Sequence, residues 1–107
     1  MEECLMVFST VGSEEEGVKI AKDLVETKMA ACVNIVPKLR SIYRWKGEIC
    51  DDPEVLLIIK TRKGLFEKLK ERIIKLHSYE VAEVLAIPIV SGSEAYLHWL
   101  LEVTLTP

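Results

Sequence analysis

The stretch from Ala31 to Trp45, followed after Lys46-Gly47 by the apolar segment Glu54 to Thr61, limits what this chain can fold into more than any other feature. Both stretches read as strands, and together they form one long hairpin with a turn at Lys46-Gly47 and a further turn expected near Asp51-Asp52-Pro53. Fully extended, Ala31 to Trp45 would reach about 50 Å at roughly 3.3 Å per residue. A chain of 107 residues has the length of one domain, residues 1–107, and a domain that small cannot cover such a hairpin. Val55 to Ile59 is apolar on both faces, whereas a sheet with helices on one side only should alternate on its open side. Some other surface must bury it, and a second copy of the chain is the simplest candidate.

Pro37 removes a ladder donor and implies a bulge or a sheet-edge position. Beyond it Leu39, Ser41, Tyr43 and Trp45 share one face, and Lys38, Arg40, Arg44 and Lys46 the other. On the N-terminal side, Cys4 to Thr10 reads as a strand, and Ser13 with Glu16 has capping-box spacing at the start of a helix. Ile20, Ala21, Leu24 and Val25 form the inner face of that helix, with Lys19, Lys22, Asp23 and Glu26 toward water. A second helix is expected through Phe66, Leu69, Ile73 and Leu76, ending near His77-Ser78. Glu83 to Val90 reads as an edge strand because it carries Pro88, and a last helix starts at Ser93. The order is that of an α+β, ferredoxin-like split β-α-β-β-α-β fold with a long central hairpin and an extra C-terminal helix.

Half of the residues are apolar, 29% are charged, and five glycines and four prolines are too few for a disordered or collagenous chain. A net charge of −3 supplies no electrostatic footprint for phosphate backbones, so nucleic acid is not an expected partner. The apolar run Val55 to Ile59 falls far short of the roughly 20 residues of a membrane span, and Met1-Glu2-Glu3 has no basic leader region, so a cytoplasmic location is expected. Cys4, Cys32 and Cys50 are odd in number and lack CxxC spacing, which leaves reduced thiols as the default reading. No glycine-rich phosphate loop, nucleophile elbow or spaced carboxylate pair is present, and no enzymatic activity is expected.

Five strings then stand out in order along the chain: Ala30-Ala31-Cys32-Val33-Asn34-Ile35, Ser41-Ile42-Tyr43-Arg44-Trp45-Lys46-Gly47-Glu48-Ile49, Ile59-Lys60-Thr61, His77-Ser78-Tyr79-Glu80-Val81, and Tyr96-Leu97-His98-Trp99. Together they resemble the CutA family of divalent-cation tolerance proteins over nearly the whole chain. The resemblance implies a ferredoxin-like subunit, a homotrimer built through the long hairpins, binding of copper and other divalent metals, and a role in metal tolerance. Because that family shares its architecture with the trimeric PII signalling proteins, the alternative is a PII-like regulatory module that binds a small anionic metabolite between subunits. Ser78 and Ala82 stand where the family carries prolines, which restores backbone freedom and two N–H donors to this loop.

Within the matched strings, Cys32 is a candidate metal ligand because a thiolate is the soft donor copper prefers, the competing reading being a small buried hydrophobe. His77 and Glu80 are the other candidate ligands, and Tyr79 and Glu83 share their loop; the competing reading there is helix capping with solvated carboxylates. Tyr43, Trp45 and Trp99, apolar rings with polar tips, suit an intersubunit crevice or a subunit contact. Lys60 closes an apolar strand and must emerge at the sheet end or pair with a carboxylate such as Glu80. His98 reads as solvated, Cys4 as core and Cys50 as an exposed turn residue.

Overall fold

The computed structural model describes residues 2–107. Its elements are β1 (Cys4–Val11), α1 (Glu14–Glu26), β2 (Cys32–Trp45), β3 (Glu48–Arg62), α2 (Phe66–Leu76), β4 (Leu85–Pro88) and α3 (Glu94–Glu102), with one 3-10 turn over Lys63–Leu65 before α2. The strands form one antiparallel sheet in the order β2-β3-β1-β4, so the split β-α-β-β-α-β order with an added helix is the fold. α1 begins where Ser13 accepts a 3.1 Å hydrogen bond from the Glu16 N–H, with Glu14, Glu15 and Glu16 in its dipole-positive first turn.

The core lies between one sheet face and the two helices. Val7, Val11, Leu57 and Ile59 from the sheet meet Ile20 and Leu24 of α1 and Leu69 and Ile73 of α2, all fully buried. Val25 is not part of this core, and Asp23 does not simply face water: Arg72 of α2 donates to it twice, at 2.8 and 2.7 Å, tying the two helices together.

The opposite sheet face carries Met6 and Phe8 of β1, Leu56 and Ile58 of β3, and Leu85 and Ile87 of β4. α3 covers only one end of it, where Leu100 packs with Cys4 and Ala31. Leu85 and Ile87 remain 62% and 50% exposed, so this face is apolar and largely open, as the two-sided pattern of β3 required.

The hairpin runs past the rest of the sheet. β1 follows β3 only as far as the Val11 and Val55 pair, and beyond it Leu39–Trp45 and 48–54 pair with each other alone. The turn expected near Asp51-Asp52-Pro53 is absent: β3 continues through these residues, with Pro53 opposite Arg40. Pro53 is tolerated because β3 has lost β1 as a neighbour there and one of its edges has no ladder partner. Cys50 accordingly lies in the strand opposite Tyr43 and not in a turn. The reversal at Lys46-Gly47 has both φ angles positive, 50° and 83°, the geometry that matches the twist of paired strands.

Pro37 marks both of the features expected of it. β2 is a sheet edge, and the register slips between Val36 and Leu39. Lys38 adopts a φ of 67° in this bulge. The one extra residue exchanges the faces of the strand: Leu39, Ser41, Tyr43 and Trp45 come onto the open side with Cys32 and Asn34, although odd and even positions alternate. β4 is shorter than the expected Glu83 to Val90, and Glu83 and Val84 belong to the loop before it.

Candidate functional site

The 77–83 loop leaves α2, passes Gly12 at the end of β1, and faces the base of the hairpin ribbon. A Cβ at Gly12 would stand 3.2 Å from the Tyr79 hydroxyl, so glycine makes room for that crossing. Between loop and ribbon lies a cleft of about 860 Å³, lined among others by Thr10, Tyr43, Trp45, Lys46, Glu54, Tyr79, Glu80 and Glu83.

His77 anchors the loop. It caps α2 in an extended conformation, its side chain is fully buried, Nε2 lies 2.7 Å from the Thr10 carbonyl, and Nδ1 accepts the Tyr79 N–H at 3.0 Å. Those two contacts require the tautomer with its proton on Nε2, donating to Thr10. Both ring nitrogens are therefore engaged inside the chain. Beside it, Glu16 does not close the capping box on its own helix: its two oxygens accept from the Ser78 N–H at 2.9 Å and the Ser78 hydroxyl at 3.0 Å. One of the donors that the missing proline restores is thus used to hold the loop.

Tyr79 packs on the His77 ring at a centroid distance of 4.7 Å and donates its hydroxyl to Glu54 Oε2 at 2.7 Å. Burial, and next the hydrogen bond to Glu54, push the Tyr79 phenol far above its ordinary range. Tyr43 donates to Asp52 at 2.7 Å, which is the first cause of a phenol pKa pushed up to about 12. Glu80 is exposed and lies 3.6 Å from Lys46, whose ammonium also stands 5.5 Å from the centroid of the Trp45 ring. Of the expected crevice residues, Tyr43, Trp45, Tyr79 and Glu83 meet in this cleft, together with Glu80.

Lys60, Cys32 and Trp99 lie elsewhere. Lys60 faces the open side of the sheet opposite Cys32, with its ammonium 4.0 Å from the Cys32 sulfur and hydrogen-bonded to Asn34 Oδ1. It does not reach Glu80. Trp99 sits on α3 with its ring 5.3 Å from that of Tyr96, 39% exposed. Cys32 is half-buried, four β3 positions from the Leu56 that pairs with Thr10, or about 13 Å along the strand. Cys32 and His77 therefore do not meet within one chain. Among the described residues, no three His, Cys, Asp or Glu side chains are grouped to hold a metal ion.

The sequence reading passed over Glu54 and Glu16. Glu54 is only 8% exposed and is the one carboxylate in the buried part of β3, and its signal was position: it falls in step with Leu56 and Ile58 at the head of an apolar strand. Glu16 carried no usable signal, since capping accounts equally well for a glutamate at that spacing.

A ferredoxin-like fold with a ribbon projecting from its sheet, an open apolar face and a cleft at the ribbon's base defines the class of small α+β proteins to which this molecule is assigned. A family profile described as CutA1 divalent ion tolerance protein matches residues 5–103. The divalent-cation tolerance protein CutA of Thermus thermophilus is 55% identical over 104 residues, which span 97% of this chain and 99% of that protein. Protein CutA of Homo sapiens is 45% identical over 97 residues, but the match takes in only 54% of its length, and the chloroplastic CutA of Arabidopsis thaliana is matched over 53%. Among solved structures, CutA1 from Oryza sativa superposes with a TM-score of 0.96 at 42% identity, covering 99% of this chain and 97% of that one. The periplasmic divalent cation tolerance protein CutA from Archaeoglobus fulgidus gives a TM-score of 0.91 at 38% identity, covering 94% of this chain and 97% of that one. The chain belongs to the CutA1 divalent-ion tolerance family.

Proposed function

We propose that the protein acts as a cytoplasmic homotrimer that binds divalent metal, copper foremost, and contributes to metal tolerance without catalysing a reaction. The observation that carries this reading is the open apolar sheet face, with Cys32 at its rim as the first residue of the edge strand β2. Covering that face with further copies of the chain brings several Cys32 side chains toward related surfaces, and a thiolate is the soft donor that copper prefers. One sulfur per chain does not close a site, so ligands from neighbouring copies complete it. His77 contributes less directly, since its nitrogens already serve Thr10 and Tyr79, and Glu80 is tied to Lys46. The three free cysteines support a reducing compartment, although relatives carry chloroplastic and periplasmic names.

A PII-like site for a small anion fits the cleft poorly, because Glu54, Glu80 and Glu83 line it against the single ammonium of Lys46. Copper titration by calorimetry tests the metal reading. Cys32→Ser should abolish most of the binding, His77→Ala should lower it less, and Cys4→Ser should leave it intact. Unchanged copper stoichiometry in Cys32→Ser would overturn the assignment of that sulfur.

A further inference from the structure

Lys60 is a cation placed on an apolar face without a counter-ion. It lies on the open side of the interior strand β3, between Met6 of β1 and Cys32 of β2 in one row across the sheet. Among the described residues, no carboxylate forms an ion pair with it. Its ammonium instead donates to Asn34 Oδ1 and stands 4.0 Å from the Cys32 sulfur. Asn34 Oδ1 is itself 4.0 Å from that sulfur, so the amide ties the ammonium to the thiol.

The proposed assembly covers this face with further copies of the chain, which keeps the Lys60 ammonium from turning out into bulk water. Met6 and Cys32 flank it on either side along the row. A metal ion held by the Cys32 sulfur, at the roughly 2.3 Å of a metal–thiolate bond, therefore sits within a few ångströms of a fixed positive charge. Their repulsion is proportional to the charge of the ion, so a divalent ion feels it twice over. At about 4 Å each extra unit of charge changes affinity about fivefold even at the dielectric constant of water, and more inside a protein.

We infer that Lys60 sets the selectivity of the Cys32 metal site, its ammonium favouring a soft monovalent ion, cuprous copper above all, over divalent ions. This rests on the metal reading given above and deepens it: the thiolate supplies softness, which cuprous copper prefers, and Lys60 discriminates by charge. Any change in how readily Cys32 gives up its proton is common to both kinds of ion and leaves their ratio alone.

The test uses the full-length assembled protein in nitrate buffer, with Ag+ and Cd2+ as soft monovalent and divalent probes. Competition calorimetry should show that Lys60→Met and Lys60→Gln, which both remove the charge, raise the ratio of Cd2+ to Ag+ affinity at least about fivefold. Lys60→Arg keeps the charge and should keep the ratio of the parent. The ratio is the readout because packing lost at position 60 would alter both affinities alike. An unchanged ratio in the two neutral variants, or an equal rise in Lys60→Arg, would overturn the selectivity role and leave Cys32 as a metal donor. Binding of both ions by Cys32→Ser as tightly as by the parent would overturn the metal reading itself, and the role of Lys60 with it.

Discussion

A proline at position 78 would have no N–H to give, whereas Ser78 donates both its N–H and its hydroxyl to Glu16, so that α1 takes part in ordering the 77–83 loop. Glu16→Ala removes both bonds and should cost about 1–2 kcal/mol in denaturant unfolding, the net worth of hydrogen bonds to a charged group. Arg62 is a second such residue. Only 7% of its side chain is exposed, and it donates to Thr104 Oγ1 at 2.9 Å, to Glu2 at 2.8 Å and to the Leu101 carbonyl, fastening the end of β3 to the end of α3. Arg62→Ala leaves those acceptors without a donor and should destabilise the protein by about 2–4 kcal/mol, read from the same unfolding curves. Neither partnership was visible in the sequence, because each joins residues more than forty positions apart.

At the scale of elements, the bulge in β2 and the α1 to α2 bridge each make a measurable claim. Lys38 holds a φ of 67° that disfavours a side chain bearing a Cβ. Lys38→Gly should therefore raise stability by about 0.5–1 kcal/mol, while Lys38→Val should lower it, as thermal unfolding will show. The Asp23 carboxyl is held below its ordinary value of 3.8, first by the hydrogen bonds from Arg72. A lowered folded-state pKa means that the bridge contributes fully above 3.8 and is lost as pH falls through the depressed value. Asp23→Asn should cost about 1 kcal/mol at neutral pH, and that difference should shrink in acid, as paired unfolding curves across pH will show. The helices and the edge strand were legible from periodicity and from Pro88. The continuous β3 was not, because Asp51-Asp52-Pro53 has turn composition and only the loss of β1 as a neighbour makes room for a proline there.

For the whole molecule, the ribbon and the open face set the expectation. A two-stranded ribbon is marginal by itself in water, and this one runs beyond the rest of the sheet in a chain whose longest dimension, ribbon included, is 45 Å. Sedimentation at low micromolar concentration should give a species near three times 12.1 kDa, and a folded monomer would defeat the trimer. Trp45, 39% exposed on the ribbon, is expected at a contact between copies, so Trp45→Ala should lower the melting temperature more at low protein concentration than at high. A shift independent of concentration would place that ring in a contact within the chain.

The sequence by itself determined the class of fold, the order of its elements and the need for a covering surface, because these follow from local periodicity, caps and the two-sided apolar run in β3. It also grouped Tyr43, Trp45, Lys60, Tyr79, Glu83 and Trp99 as expected residues of an intersubunit crevice; within one chain Tyr43, Trp45, Tyr79 and Glu83 line the cleft, and Lys60 and Trp99 lie elsewhere. Tertiary structure alone decided which carboxylate lies at the bottom of that crevice, and it drew His77 inward to Thr10 while leaving Cys32 on the far part of the sheet. The physical reason is the single extra residue at Pro37-Lys38: it exchanges the faces of β2, and its effect on Tyr43 and Trp45 depends on pairing with β3, which no local pattern encodes.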